Sequence, residues 1–415
     1  MSPQSGAAAL LQPATPHVTL ADVRAAAARI QGAVLRTPTI RSDALSKACG
    51  ATIHLKLDNL QATGAFKERG AANRIALLSA RERAAGVIAM SAGNHAQAVA
   101  RHAALAGISA TIVMPKYTPA TKVTRTEGWG ATVVLHGETL AEAAAHAYDL
   151  ASREGLTFIH PYDDPAVIAG QGTAALEMLE DFPEIDTLAV PVGGGGLVTG
   201  CAAAAMELKP GTVVYGVEVE GYPAMAQRLA GQPVSVGGPT VAEGIAVRDV
   251  GELPFAWLER HRVEVLVVPE RAVEEAIALL AEGAKLVAEG AGATGLAAVL
   301  AFPERFSDRS VGIPVCGGNI DARALSNVLL RQLLRDGRIL RLRFDIPDRP
   351  GMLADIAHRI SALGGNVIEV QHQQLFGAPT VQSTELHLMI EVRDAALGNQ
   401  IVAALQAGNY VVRRV

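Results

Sequence analysis

The sequence predicts an α/β protein whose parallel sheets are covered by helices on both faces, followed by a small ferredoxin-like domain. Apolar runs at residues 87–90, 187–192 and 311–315 each end in a loop with glycine that opens a helical pattern. Strand-like and helix-like segments alternate between these runs, as they do in doubly wound sheets. Half of the 415 residues are hydrophobic and only 4% are aromatic, so Ala, Val, Leu and Ile must build the core.

The elements can be placed in chain order. A first helix is expected over 21–34, because Thr19 and Asp22 have the spacing of a capping box. Further strands are expected at 110–114, 132–135, 212–217 and 263–268. Further helices are expected at 138–153, 165–179, 272–289 and 322–334.

The pattern changes near residue 338, where residues 338–344 alternate like a half-buried strand. A helix ending near 363, strands at 367–371 and 385–392, a helix at 396–407 and a strand at 410–414 complete the chain. The order β-α-β-β-α-β predicts a ferredoxin-like fold.

Charge and cysteine content narrow the classes of partner and compartment. The net charge of −5 argues against nucleic-acid and anionic-membrane partners. Cys49, Cys201 and Cys316 are odd in number and lack CxxC spacing, so a reducing compartment, the cytoplasm, is expected.

Two segments could be mistaken for targeting signals. The uncharged stretch 188–206 has transmembrane length, but it contains Pro191 and five glycines, and a buried strand and helix is expected there. Residues 1–17 lack a basic start and a long apolar core, which favours a loose tail over a signal peptide.

The strand expected at 187–192 runs into four consecutive glycines, Gly193 to Gly196, and then into a helical pattern from Leu197. This order leaves unshielded N–H groups at the positive end of a helix dipole, which is a cradle for phosphate. A tight turn or close helix–strand packing is the alternative explanation.

Lys67 follows a turn and opens a helical pattern, where an ammonium group is electrostatically unfavourable. Such a lysine is more easily uncharged, and an uncharged amine is what attacks an aldehyde. Most lysines at helix starts are simply solvated. Beside a phosphate cradle and two further loops, however, Lys67 completes the set of groups that holds pyridoxal phosphate as a Schiff base.

The motifs resemble those of fold-type II pyridoxal-phosphate enzymes, and among them the threonine deaminases with a C-terminal ACT domain. The resemblance covers residues 20–415, and its motifs lie at 63–71, 91–97, 191–197, 240–247 and 316–319. It implies two open, mostly parallel sheets flanked by helices and a homo-oligomer, dimer or tetramer. The implied domains are a flexible tail (1–18), a large catalytic domain (19–52 and 155–330), a small catalytic domain (53–154), a linker (331–337) and an ACT-like domain (338–415).

The resemblance also implies roles for individual residues. Lys67 would carry the cofactor and move the substrate's α-proton, Phe66 would pack on the cofactor ring, and Asn94 would bond its phenolic oxygen. The implied cofactor-binding residues are Phe66, Lys67, Asn94, Gly193, Gly194, Gly195, Gly196, Leu197, Gly244 and Cys316. The substrate carboxylate would lie on the main chain of Ser91, Ala92, Gly93, Asn94 and His95, the ring of His95 mattering less.

Some positions depart from the family's pattern. Serine is common in the family where Ala65 and Cys316 stand here. A thiol facing the pyridine nitrogen is neutral, like serine, and a neutral partner suits β-elimination. Related enzymes can bind a divalent cation near Glu218, but a second acidic ligand is missing here, and no metal site is predicted.

The expected reaction is β-elimination of L-threonine to 2-oxobutanoate and ammonia, and of L-serine to pyruvate. Serine racemase, 3-hydroxyaspartate ammonia-lyase, a β-replacing enzyme such as cysteine synthase, and a non-catalytic amino-acid sensor are alternatives. Substrates that differ by a methyl group are separated by only about 1–3 kcal/mol, so the preferred one stays open. Ala92 cannot supply the second acid that racemisation needs, which favours dehydration without racemisation.

The segment 348–355 resembles the strand-to-helix turn of ACT domains, where exposed N–H groups can receive an amino-acid carboxylate. The implied regulatory residues are Asp348, Pro350, Gly351, Met352 and Leu353, and the implied effector is a branched-chain amino acid. The alternative is a domain that only helps the enzyme to oligomerise.

Overall fold

The computed structural model describes residues 17–373 and 383–415. The chain divides into two compact units, Met1–Ile320 and Asp321–Val415. Most of the expected tail, 1–16, lies outside the described residues.

The strands of the first unit are β1 (Thr39–Arg41), β2 (Thr52–Lys56), β3 (Val87–Met90), β4 (Ala110–Met114), β5 (Thr132–Leu135), β6 (Thr157–Phe158), β7 (Thr187–Pro191), β8 (Val213–Val219), β9 (Glu264–Val268) and β10 (Ser310–Pro314). Its helices are α1 (Leu20–Ile30), α2 (Asp43–Cys49), α3 (Lys67–Ala76), α4 (Ala80–Ala85), α5 (Asn94–Leu105), α6 (Ala120–Gly128), α7 (Leu140–Glu154), α8 (Pro165–Asp181), α9 (Gly196–Leu208), α10 (Ala224–Leu229), α11 (Glu252–His261), α12 (Glu270–Gly283), α13 (Gly290–Ala301) and α14 (Pro303–Phe306). Short 3₁₀ helices lie at Asp58–Leu60 and Glu243–Ile245.

A six-stranded sheet forms the centre of the first unit, in the order β1-β2-β10-β7-β8-β9. All its pairings are parallel except that of β1 with β2. Because β7 and β10 are neighbours, the tetraglycine loop and the loop of Cys316 leave the sheet side by side at its carboxyl edge. Ligands collect at this edge in open α/β sheets.

A second, smaller sheet has the order β5-β4-β3-β6, with every pairing parallel. Its core is built from small aliphatic side chains such as Ala89, Val99 and Ile112, which are fully buried. The loop after β3 contains the Ser91–His95 motif. The expected α/β class with parallel sheets flanked by helices is therefore confirmed.

The boundaries expected for the small domain need correction at both ends. Most of β2 falls within the expected small domain, which starts at residue 53. β2 nevertheless pairs with β1 and β10 of the large sheet. β6 falls outside the expected small domain, which ends at residue 154, but it pairs with β3 of the small sheet. Which sheet β2 and β6 join is decided by pairing partners far along the chain, and periodicity does not reveal those partners.

The second unit contains α15 (Ala322–Arg335), β11 (Ile339–Pro347), α16 (Met352–Ala362), β12 (Asn366–Gln373), β13 (Ser383–Glu391), α17 (Ala395–Ala407) and β14 (Val411–Arg414). Its sheet is antiparallel with the order β12-β13-β11-β14. This is the β-α-β-β-α-β arrangement that the sequence predicts. The division at Ile320 comes before the expected linker, 331–337, because α15 continues to Arg335 and groups with this unit.

Two further differences concern helices. The helix expected over 272–289 ends at Gly283, since Lys285 has a positive φ of 60° and turns the chain. A separate helix, α13, then starts at Gly290, and neither it nor α11 was expected. Within the ranges 17–373 and 383–415, no helix has both the length and the apolar character that a membrane span requires.

Candidate active site

Lys67 is the first residue of α3, as expected, and no side chain caps this helix end. Its Nζ donates a hydrogen bond to the carbonyl oxygen of Pro161 at 2.7 Å. Burial lowers the pKa of Lys67 from its usual 10.5 to about 8, while the nearby Cys316 acts in the opposite direction. The amine is thus prepared to lose its proton and to act as a nucleophile or a base.

A buried ion network anchors the helix that carries Lys67. Arg69 lies two residues further along α3, and its Nε donates to Asp58 at 2.7 Å and its Nη1 to Glu177 at 2.7 Å. Lys56 on β2 reaches the same Glu177 at 2.6 Å. Arg69, Asp58 and Lys56 are each 0% exposed, so the start of α3 is tied to the large sheet and to α8.

The tetraglycine forms the turn between β7 and α9. Among the described residues, the N–H groups of Gly193 to Leu197 have no main-chain acceptor. Gly195 is the N-cap of the 13-residue helix α9, so these groups lie at a helix N-terminus, where the helix dipole favours an anion.

The packing of this loop requires glycine. A Cβ on Gly194 would come within 2.2 Å of the Tyr162 ring, and Gly195 has a φ of +95°. A Cβ on Gly193 would lie 3.2 Å from Cα of Ile245, in the 3₁₀ helix that also contains Gly244. Tyr162 directly follows Pro161, the acceptor for Lys67, so the lysine and the glycine loop meet at one segment. These features fit a phosphate-bearing cofactor held beside an amine.

The Ser91–His95 motif forms the turn between β3 and α5. The Ser91 hydroxyl accepts a hydrogen bond from the N–H of Gly93 at 3.1 Å, and α5 starts at Asn94. The ring of His95 is buried and its Nε2 lies 2.9 Å from the carbonyl oxygen of Ile159. Burial, reinforced by Lys67, lowers the pKa of His95 to about 3, so the ring stays uncharged.

The loop of Cys316 lies directly against the loop before Lys67. The N–H of Phe66 donates to the Cys316 carbonyl at 2.9 Å, and Ala65 forms a bridge with Gly317. The Lys67 Nζ lies 5.1 Å from the centre of the Phe66 ring. Burial raises the pKa of the Cys316 thiol well above its usual value, so this group is neutral.

Sequence reasoning missed Glu289, the N-cap residue of α13. Its carboxylate accepts from Nδ2 of Asn94 at 2.7 Å, and Asn94 also accepts from Asn319 at 2.8 Å. Burial raises the pKa of Glu289 to about 7, and the bond from Asn94 acts against that rise. The single helix expected over 272–289 concealed this residue, and only a signal for a helix start near Gly290 could have revealed it.

Glu218, at the end of β8, is held in place by hydrogen bonds from the main chain. Its carboxylate accepts from the N–H groups of Met225 and Ala226 at 2.8 and 2.9 Å. Burial raises its pKa to about 7, against the effect of these two bonds. The described residues contain no cluster of three or more groups suited to a metal ion.

In the second unit, the segment 348–355 forms the turn between β11 and α16. Gly351 has a φ of +88° and precedes the helix, which starts at Met352 without a side-chain cap. Asp348 and Pro350 are exposed, as is Leu353 at 37%, while Met352 packs against the core of this unit.

Comparison with known proteins agrees with this geometry. The family described as "Pyridoxal-phosphate dependent enzyme" matches residues 30–317. An L-threonine ammonia-lyase of Thermotoga maritima is 42% identical over 400 residues, which cover 96% of this chain and 100% of that protein.

Solved structures of similar fold include enzymes of more than one activity. The processed form of threonine deaminase isoform 2 from Solanum lycopersicum matches with a TM-score of 0.71 and 34% identity, covering 74% of this chain and 91% of that one. A serine racemase from Dictyostelium discoideum gives a TM-score of 0.69, with 34% identity and coverage of 73% and 99%. With its lysine, its glycine cradle and these matches, the chain belongs to the pyridoxal-phosphate-dependent enzyme family.

Proposed function

We propose that this protein eliminates water from L-threonine and releases an enamine that water then hydrolyses, so that the net products are 2-oxobutanoate and ammonia, and that it converts L-serine to pyruvate and ammonia in the same way. The observation that carries the proposal is the Lys67 amine, whose pKa burial lowers to about 8 beside the glycine cradle. Similarity over nearly the whole chain to an L-threonine ammonia-lyase supports the same reaction.

Bound pyridoxal phosphate supplies an electron sink next to the substrate's Cα. The Lys67 amine would hold the cofactor, and when it is free, the Lys67 amine would take the proton from the substrate's Cα. A lowered pKa helps both tasks, because each needs the uncharged amine near neutral pH.

The N–H groups of Gly193 to Leu197 would hold the phosphate, and Gly244 belongs to the 3₁₀ turn that packs against Gly193. The N–H groups of the Ser91–His95 turn take the substrate carboxylate, using the start of α5 as an anion site. The His95 ring is not a base in this proposal, since its Nε2 lies against the Ile159 carbonyl and burial lowers its pKa to about 3, so that the ring holds an added proton poorly.

Phe66, Asn94 and Cys316 would contact the cofactor ring. Asn94 would donate to the phenolic oxygen, and Cys316 would be the partner of the pyridine nitrogen. A thiol kept neutral by burial does not hold that nitrogen protonated, which suits elimination, where the leaving hydroxyl carries the electrons away.

The test is the formation of 2-oxo acid from L-threonine, L-serine and 3-hydroxyaspartate by the purified protein. Lys67→Ala should lose turnover by several orders of magnitude while it still binds the cofactor through its phosphate. Lys47→Ala, at an exposed position on α2, is the matched control and should behave as wild type. Near-normal turnover in Lys67→Ala would refute the assignment. Absence of any visible absorbance band sensitive to borohydride would favour the amino-acid sensor.

Serine racemase is the second candidate, because a serine racemase is among the structural neighbours. Racemisation needs an acid on the face opposite Lys67, and Ala92 offers only a methyl group at the matching position. Chiral chromatography after incubation with L-serine should therefore show pyruvate and little D-serine. D-serine formed as fast as pyruvate would establish the racemase.

The second unit is proposed to bind a branched-chain amino acid at the turn that contains Asp348, Pro350, Gly351, Met352 and Leu353. Support comes from its ferredoxin-like topology and from the uncapped start of α16 at this turn. Isoleucine or valine should shift the threonine saturation curve of the full chain. A chain ending at Ile320 should not respond, and an equal response of both would place the effector site in the first unit.

We further propose a cytoplasmic homo-oligomer, dimer or tetramer. The three cysteines are free and buried, which fits a reducing compartment. Light scattering of the purified protein gives the assembly size, and a monomer at micromolar concentration would overturn this part.

A further inference from the structure

Three polar side chains form a hydrogen-bonded chain beside the loop that precedes Lys67. Asn319 Nδ2 donates to the Thr63 carbonyl at 2.7 Å and to Asn94 Oδ1 at 2.8 Å. Asn94 Nδ2 in turn donates to Glu289 Oε1 at 2.7 Å. The chain connects the lysine loop, the loop of Cys316, the start of α5 and the start of α13.

The direction of every bond in this chain is determined at its first member. A main-chain carbonyl only accepts, so the NH₂ group of Asn319 must face Thr63, and its second N–H faces Asn94. Asn94 therefore turns its oxygen toward Asn319 and its nitrogen toward Glu289. A flipped Asn94 amide would set nitrogen against nitrogen at Asn319 whatever the pH, and oxygen against oxygen at an ionised Glu289.

We propose that Asn319 and Glu289 are positioning residues that hold the Asn94 amide so that it presents an N–H, never its carbonyl, to the phenolic oxygen of the bound cofactor. This inference rests on the proposed function, in which Asn94 faces that oxygen. Only one of the two N–H groups on Asn94 is used by Glu289, so the second is left for the cofactor.

The orientation has a chemical consequence. An N–H donor favours the ionised phenolic oxygen, whereas a carbonyl in its place would favour the neutral phenol, which could donate to it. The ionised and neutral forms of the bound cofactor absorb in the visible and in the near-ultraviolet, respectively. Asn319 and Glu289 thus act on the ionisation of the cofactor through Asn94 and not by direct contact.

Glu289 suits this task in either protonation state. Its raised pKa of about 7 means that it is partly protonated near neutral pH, but a carboxylic acid keeps an acceptor oxygen for Asn94. Glutamine at this position also keeps an acceptor oxygen, while alanine does not. The two substitutions therefore separate the positioning role from the effect of a negative charge.

The experiment measures the ratio of visible to near-ultraviolet absorbance of the holoenzyme at pH 7.5, after cofactor content has been equalised by alkaline release. The variants are Asn94→Ala, Asn319→Ala, Glu289→Ala and Glu289→Gln. Asn59→Ala is the matched control, because Asn59 Nδ2 binds the Val287 carbonyl at 3.0 Å in the same region without entering the chain. If Asn319→Ala does not fold, Asn319→Asp keeps the side chain's size and reverses its polarity toward Asn94.

The three alanine variants at Asn94, Asn319 and Glu289 should lower the ratio about tenfold, because a hydrogen bond to a charged group contributes about that factor or more. Glu289→Gln and Asn59→Ala should keep at least the wild-type ratio. A normal ratio in Asn319→Ala or Glu289→Ala, with a lowered ratio in Asn94→Ala, would overturn the inference and leave the proposed function intact. A normal ratio in Asn94→Ala would instead refute the proposed role of Asn94. A fall of the absorbance ratio in Glu289→Gln as large as in Glu289→Ala would also overturn the inference. The negative charge of Glu289, and not its acceptor oxygen, would then be responsible for the wild-type ratio.

Discussion

The lowered pKa of Lys67 makes a quantitative prediction about the protein after its cofactor has been removed. The pKa falls from 10.5 to about 8 because burial penalises the charged amine. At pH 7 about one Lys67 side chain in ten is then uncharged, against about one in three thousand for an ordinary lysine, a difference of about 300-fold.

The assay is competitive acetylation of the cofactor-free protein with trace acetic anhydride from pH 6 to 11, with mass spectrometry of the peptide that contains Lys67. A free lysine derivative in the same tube reports the ordinary reactivity. The acetylation rate of Lys67 should rise to half its maximum near pH 8. Re-addition of pyridoxal phosphate should protect Lys67 and no exposed lysine, such as Lys47.

A matched control concerns Cys316, whose thiol burial keeps neutral. Cys316→Ser replaces one neutral group by another, so the midpoint should stay near pH 8. A midpoint at or above about pH 10, where the free amine titrates, would refute the reasoning that burial prepares Lys67 for catalysis.

Three further predictions concern the glycine cradle, the buried ion network around Arg69, and Glu218. Gly194→Ala would place a methyl group 2.2 Å from the Tyr162 ring, so cofactor affinity measured by fluorescence titration should fall at least about tenfold, and unaltered affinity would contradict the packing argument. Arg69→Met leaves Asp58 buried without its ion-pair partner and should lower the free energy of unfolding by about 3–5 kcal/mol in denaturant titrations, while a loss below about 1 kcal/mol would show the network to be dispensable. Because the folded protein holds a proton on Glu218 between its usual pKa of 4.5 and about 7, wild-type stability should fall as pH rises through this window. Glu218→Gln should remove that fall, so that the stability difference between variant and wild type should change in the variant's favour by about 1–3 kcal/mol from pH 5 to pH 8, and parallel pH profiles would argue against it.

The sequence by itself determined the elements whose signals are local. Thr19 and Asp22 predicted the capping box of α1, which the structure contains. Consecutive glycines between an apolar run and a helical pattern predicted the turn from β7 to α9, and Lys67 was placed at the start of α3. These features depend on residues a few positions apart, so a short stretch of the sequence is enough to recognise each of them.

Only the tertiary structure decided what depends on distant partners. β2 belongs to the large sheet because β10, more than 250 residues later, pairs with it, and no periodicity in residues 52–56 records that partner. Glu289 lies against Asn94, 195 positions away, where burial raises the pKa of the carboxylate. The depressed pKa of Lys67 has the same origin, because it depends on how much surrounding protein excludes water from the amine. Local sequence thus determined which groups the chain offers to the site, and the packing of remote segments decided their neighbours, their orientation and their charge.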